Sequence, residues 1–274
     1  MSYFTYFDFT YNNDKKEVVT INMPQNLGKQ LFNIATAYTY SINNSKKLIF
    51  ENIDNNKKRT YWKTLYSNNL NIIDNDKYST ISFKLIENNN FTMHNANSDN
   101  IYLKGDYYSF SYLKSKNNTT RNFLRHLVYS NEKYMYCAYE LYNNIKKYFE
   151  KINNNECQDN DMCSLHIKVN NNMNIDYYNE ALNKIDQKNI VVFSNNIEWC
   201  KNNKDKFNFN NFNLYFIDIN IIEVEFILLS MFKDNIISNS NFSLMASYIS
   251  YYDTKKNIIA PKTIETHDDV TYII

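Results

Sequence analysis

An imidazole and an ammonium stand two residues apart in Ser164-Leu165-His166-Ile167-Lys168. Apolar residues alternate with them, so the stretch reads as a strand, and on a strand residues i and i+2 point to the same side. A cation directed with a histidine at a strand end suits work on an anion; the simpler account of His166 is a structural histidine in the core. A second cluster, Ser238-Asn239-Ser240-Asn241-Phe242-Ser243, sets small hydroxyls and amides around one phenylalanine. One of them suffices to cap a helix, which leaves several to explain. A third, Ser194-Asn195-Asn196-Ile197-Glu198-Trp199, follows Phe193 and is accounted for by capping alone. In the fourth, Gln25-Asn26-Leu27-Gly28-Lys29-Gln30, Gly28 permits close backbone approach, and a helix start offers free amides to an anion or a sugar hydroxyl. A tight turn explains Gly28 equally well.

Each cluster sits where a strand gives way to a helix. Residues 17–23 read as a strand ended by Pro24. From Lys29 the spacing of Leu31, Ile34, Ala35, Tyr38 and Ile42 predicts a helix with one apolar face, followed by a strand in KKLIFEN. Residues 52–100 are irregular apart from a helix at TYWKTLYSNNL and a strand at TISFKLI. NIYLKGDYYSFSYL holds a strand broken at Gly105, one of two glycines, where a backbone conformation that other residues avoid is expected. One helical period runs from Asn122 to Ile152, and the polar NNNECQDND is expected to link two domains, 1–155 and 156–274. Beyond it come strand CSLHIKV, helix IDYYNEALNKI, strand NIVVFS, helix IEWCKNNKDKF and strand FNLYFIDI. Residues 221–250 then read as helix, break and helix, and KKNIIAPK as a final strand. Strands alternating with helices, with runs such as Ile190 to Phe193 apolar on both faces, predict parallel sheets covered on each side. The expected architecture is therefore α/β, two Rossmann-like halves with a ligand cleft between them at the carboxyl ends of the strands.

The composition supports a packed core: 43% of the 274 residues are hydrophobic and 16% aromatic, with 25 Tyr and 18 Phe. A formal net charge of +1 argues against a dedicated nucleic-acid binder, which needs a concentrated basic face. Cys137, Cys157, Cys163 and Cys200 lack C-x-x-C spacing, so reduced thiols and no metal site are expected. No window is long and apolar enough for a membrane span, and MSYFTYFDFT lacks the order of a signal peptide, so a soluble, cytoplasmic protein is expected.

In order and spacing the clusters resemble glycosyltransferase family 11, the α-1,2-fucosyltransferase family. Its G-G-L-G-N-Q-[LM]-F-Q-Y-A is similar to Gln25 through Ala35, and its L-x-G-Y-F-Q-S to Leu103 through Ser109. H-x-R-R-x-D is similar to His166-Ile167-Lys168-Val169-Asn170-Asn171, and Y-Y-x-x-A-[IL] to Tyr177 through Leu182. F-S-D-D-I-E-W-C reappears as Phe193 to Cys200 with Asn195 and Asn196 for the aspartates. C-x-H-x-I-[IS]-N-S-[ST]-F-S-W-W-[GA]-A-W is similar to Phe232 through Ser247, and I-A-P-K stands at Ile259 to Lys262.

The resemblance implies a GT-B-type fold, a GDP-fucose donor held mainly by the second half, a glycan acceptor held by the first, and metal-free inverting transfer. The donor-contacting positions it implies are Gly28, Gln30, Asn170, Ser194, Asn195, Asn196, Asn239, Ser240, Phe242 and Ser243. Lys168 takes the place of the arginine that balances charge on the β-phosphate, and His166 orients the strand-end loop. Asp106 and Glu198 are the nearest carboxylates for a base. Arg59, Arg121 and Arg125, the only arginines, all belong to the first half. Val169, Asn171 and Asn195-Asn196, where the family has charged residues, leave as the alternative a catalytically impaired relative that binds a glycan, a nucleotide or a partner enzyme, or a transferase of another nucleotide sugar.

Overall fold

The structure, a computed structural model, describes residues 17–53, 60–66, 69–87, 91–93, 99–115, 118–251 and 257–273. Arg59 and the opening decapeptide lie outside the described residues. The chain divides into two compact units, Met1–Asn131 and Glu132–Ile274.

The first unit contains β1 (Val18–Ile21), α1 (Leu27–Asn43), β2 (Lys47–Leu48), β3 (Phe50–Glu51), β4 (Ile72–Ile73), α2 (Asn75–Ser79), β5 (Lys84–Glu87), β6 (Ile101–Lys104) and α3 (Thr119–Tyr129). Its main sheet has the order β2-β1-β6-β5, every pair parallel, and β3 pairs with β4 apart from it. α1 differs from the one-faced helix expected. It is buried nearly all round, with Lys29 of its first turn half-buried and Ile42 of its last turn 38% exposed. Polar groups on its covered faces bond locally: the Thr39 hydroxyl donates to the Ala35 carbonyl at 2.8 Å, and the Asn33 amide to that of Asn22 at 2.7 Å. Gly105 adopts φ 141°, the conformation its position suggested, and its N–H donates to the Asn22 side chain at 2.8 Å. Residues 60–66 form turns rather than a helix, with Trp62 packed on Phe50.

The helical period from Asn122 is interrupted. α3 closes at Tyr129, the Asn131 side chain donates to the Thr64 carbonyl at 2.6 Å, and α4 (Glu132–Asn153) begins the second unit. α4 packs on α7 and β9 of that unit, so the division falls ahead of the link expected near residue 155. The unit continues with β7 (Met162–Ile167), α5 (Ile175–Leu182), β8 (Asn189–Ser194), α6 (Ile197–Asn202) and β9 (Asn213–Phe216). α7 (Ile222–Ser230), β10 (Asp234–Ile236), α8 (Asn241–Ile249), β11 (Ile258–Ala260) and β12 (Tyr272–Ile273) complete it.

Its sheet is parallel throughout, in the order β12-β11-β10-β7-β8-β9. The chain runs outward from β7 through β8 to β9, then returns to β7's other edge and runs out again through β10, β11 and β12. β10 corrects the expectation of a bare helix break at Asp234-Asn235. It is a central strand with all three residues buried, and its polar side chains are matched. Ser164 donates to the Asn235 amide oxygen at 2.6 Å, the Asn235 NH2 donates to the Phe232 carbonyl at 3.0 Å, and Asp234 accepts from Gln187 and from the Asn257 N–H. All four cysteines are free thiols, and three of them are buried.

Candidate functional site

In a doubly wound parallel sheet, the loops after the two strands flanking the reversal leave in opposite directions and open a crevice at their carboxyl ends. Here the reversal lies between β7 and β10. A cavity of about 480 Å³ opens there, within the range of small-ligand sites. Its wall comes from the loop after β7 (Lys168, Asn170, Asn172, Met173, Asn174), the loop after β10 (Asn239), the loop after β11 (Pro261, Lys262, Thr263) and two tyrosines of α5, Tyr177 and Tyr178. Two lysines and no carboxylate line it.

The frame is fixed by hydrogen bonds between strand ends. The Lys168 Nζ donates to the Asn239 carbonyl at 3.1 Å, and the Asn239 side chain to Thr263 Oγ1 at 3.2 Å, which ties together the loops of three adjacent strands. The Tyr178 hydroxyl accepts from the Lys168 N–H at 3.2 Å. The Tyr177 hydroxyl lies 2.5 Å from the Ile237 carbonyl oxygen and 3.1 Å from that of Ile259. Burial pushes the Tyr178 phenol up to about 12 and raises that of Tyr177 as well, so both remain neutral hydrogen-bonding groups at pH 7. α5 is started by Asn174, whose side chain accepts from the Tyr177 N–H at 3.2 Å.

Among the expected site residues, the structure brings Lys168, Asn170 and Asn239 into the cavity wall and places others behind it. His166 is 5% exposed; its Nδ1 lies 2.7 Å from the Ser238 hydroxyl and its ring packs on Phe242. Burial, with a smaller contribution from the Lys168 charge, lowers its pKa to about 3, so the ring is neutral at pH 7 and joins β7 to the loop after β10. Phe242 in turn packs on Phe226. Ser240 caps α8 by accepting from the Phe242 N–H. Ser243 is wholly buried, its hydroxyl 3.4 Å from the Ser238 and Ser240 carbonyl oxygens. Both hydroxyls shape the turn that begins α8.

The loop after β8 serves the loop after β7. The Asn195 side chain meets the Val169 peptide at both ends, accepting from its N–H at 2.8 Å and donating to its carbonyl at 3.1 Å. The side chain of Val169 itself packs against the core. Ser194 accepts from the Asn196 N–H, and Asn196 caps α6 by accepting from the Trp199 N–H at 3.0 Å. None of the three lines the cavity. Glu198 is 67% exposed at its side chain and paired with Lys201 at 2.7 Å. In the first unit Gly28 is buried in the first turn of α1, where it is helical rather than the hinge of a tight turn. Gln30 is buried there too and donates to the Pro24 carbonyl at 2.8 Å. Asp106 is exposed in that unit, near Tyr108.

Sequence reasoning missed Lys262, Thr263 and the wall-forming role of Tyr177 and Tyr178. The signal for Lys262 is positional, because it follows a strand of the parallel sheet at its carboxyl end. A Ser–His–Asp grouping also went unmarked. Ser247 Oγ lies 3.0 Å from His267 Nε2, while the Asp269 N–H donates to His267 Nδ1 at 3.3 Å. That bond puts the proton on Nε2, the wrong tautomer for a base toward the hydroxyl. Ser247 donates to the Leu244 carbonyl, and both side chains are buried, so the group is structural. Among the described residues no cluster of three or more His, Cys, Asp or Glu side chains could hold a metal ion, and no helix is long and apolar enough to cross a membrane.

Comparison with known proteins gives the same outline. The profile of glycosyl transferase family 11 matches residues 4–270. An α-1,2-colitosyltransferase of Escherichia coli is 36% identical over 81 residues, a stretch that spans 28% of this chain and 28% of that protein. The fucosyltransferase NodZ from Bradyrhizobium superposes with a TM-score of 0.53 at 10% identity, covering 85% of this chain and 92% of its own. A FUT1 variant of Arabidopsis thaliana in complex with GDP gives 0.52 at 10% identity over 95% of this chain and 74% of that one. These likenesses show a common fold, the GT-B type built of two Rossmann-like halves.

Proposed function

Because the chain belongs to glycosyl transferase family 11, we propose that it transfers fucose from GDP-fucose to a hydroxyl of a glycan acceptor, with inversion at the anomeric carbon. The observation that carries this reading is the cavity at the sheet's reversal, where Lys168 is held level with Asn239 in a wall without carboxylates. In the transfer the acceptor oxygen bonds to the anomeric carbon as the bond from that carbon to the β-phosphate oxygen breaks. The electron pair leaves with GDP, so negative charge grows on the diphosphate. A fixed ammonium is most useful at that point, because it stabilises the transition state more than the bound donor. Tyr178 and Asn239 hold Lys168 from its backbone and its tip, so little reorganisation is needed as charge develops. The positive charge of Lys168 and a wall without carboxylates support a reading that needs no divalent ion.

The partial likeness to a colitosyltransferase supports a second reading, another nucleotide sugar as donor at the same cavity. Isothermal titration with GDP, GDP-fucose and other nucleotide sugars, with and without EDTA, separates these readings; transfer to galactose-terminated acceptors follows with the donors that bind. Saturable binding of GDP-fucose that EDTA leaves unchanged, with transfer, is the expected result. No binding of any nucleotide sugar overturns the assignment, and binding without turnover on any acceptor identifies a relative that has lost catalysis.

A further inference from the structure

Lys168 is not alone at its level of the sheet. The strand registers pair Leu165 of β7 with Ile236 of β10, and Ile236 with Ile259 of β11. Carried three residues on, the same registers set Lys168 level with Asn239 and Asn239 level with Lys262. The hydrogen bonds from Lys168 to Asn239 and from Asn239 to Thr263 show that the three loops keep this alignment past the ends of the strands. Strands two places apart in a sheet are separated by about 9–10 Å, so two lysine stems rooted on β7 and β11 can close on a group a few ångströms wide between them. That group lies over β10, whose loop presents an uncharged asparagine. Lys262 is exposed and, among the described residues, makes no ion pair, so its ammonium is uncommitted. No acidic side chain lines the cavity to neutralise the pair.

We propose that Lys262 is a second cation of this site, and that it and Lys168 grip one diphosphate from its two sides. The inference rests on the reading of the cavity as a nucleotide-sugar site and adds the residue and the geometry of the grip. The division of labour follows from their surroundings. Lys168 is anchored by Asn239 and fixed in place before the ligand arrives, whereas Lys262 is exposed and gains its partner on binding, so its removal acts mainly on affinity.

Lys262→Met keeps the aliphatic stem and removes the charge at an exposed position, so the fold is retained. Calorimetric titration of the wild type and this variant with GDP and with inorganic pyrophosphate, at two salt concentrations, tests the proposal. The expected result is about ten- to a hundredfold weaker binding of both ligands, as for loss of one charge-assisted contact, and a shallower salt dependence. Unchanged affinity of the variant for either bound ligand overturns the role of Lys262 while leaving the nucleotide-sugar reading intact. Pyrophosphate binding that depends on Lys262, without binding of GDP, keeps the two-cation site and removes the nucleotide-sugar reading. Failure of the wild type to bind either ligand removes both.

Discussion

Replacing His166 with glutamine should change how the stability of the second unit depends on pH far more than it changes stability at pH 7. In an unfolded chain the imidazole titrates near 6.5, but in the folded protein its pKa is lowered to about 3 by burial and then by the Lys168 charge. Below pH 6.5 the unfolded state therefore binds a proton that the folded state refuses. The stability that the neutral ring contributes is complete above pH 6.5 and is lost as the pH falls toward 3. Each pH unit in that window is worth about 1.4 kcal/mol, so between pH 7 and pH 5 the loss comes to about 2 kcal/mol. This figure requires only that the folded pKa lie well below 5. Glutamine can reach Ser238 and has no proton to take up, so the variant lacks this slope. Burial raises the pKa of Glu225 on α7 to about 7, which removes stability as the pH rises from the ordinary carboxylate range and masks the histidine's slope in the wild type. The informative quantity is thus the difference between variant and wild type. Urea unfolding followed by Trp199 fluorescence in a Trp62→Phe background isolates the second unit. If the stability gap between the two proteins is the same at pH 7 and pH 5, His166 is not held neutral by its surroundings and the reasoning fails.

Three further outcomes are expected. Lys168→Ala should lower kcat/KM about a hundred- to thousandfold in a donor hydrolysis or transfer assay, with Lys168→Arg recovering part of it; full activity in the alanine variant would remove the residue from the reaction. Asn195→Asp puts a carboxylate against the Val169 carbonyl in place of a donor, and should weaken GDP binding by about 1–2 kcal/mol with faster amide exchange at Val169, against no change if the clamp is idle. Ser164→Ala leaves the Asn235 amide oxygen buried without its donor and should cost about 1–3 kcal/mol in urea unfolding, with β10 amides losing protection first.

The alternation of strands and helices was legible at β1, α1 and β2 and again from β7 to β9, because apolar runs and Pro or Asn stops are local signals; between them β4 and α2 were not read and the helix expected from Thr60 is turns. β10 was not, since Asp234 and Asn235 look like a stop until Ser164, Gln187 and Asn257, distant in sequence, are seen to match them. The break between α3 and α4 was hidden because the apolar period continues through it while the packing partners change. At the site, Lys168 could be found from strand-end position, and Asn239 from the surplus of polar residues in its cluster and from the resemblance. The resemblance marks Asn195 as a lost aspartate; in the structure both ends of its amide are occupied by one peptide group, which a carboxylate could not match. Lys262 carried the same strand-end signal, but its alignment with Asn239 and Lys168 needed the register of β10 and β11, a long-range quantity that no spacing along the chain encodes.

The reversal of strand order between β7 and β10 has a consequence for how such a protein can be altered. Much of the cavity wall lies in loops that begin after the strands have ended, while the residues that hold the sheet together are buried within the strands. On the reading of the cavity as a nucleotide-sugar site, the loop segment 170–173 and Thr263 are positions where exchange should alter donor preference without disturbing the sheet. Transplanting these two segments from a relative with a different donor offers a direct way to graft a new selectivity onto an unchanged scaffold.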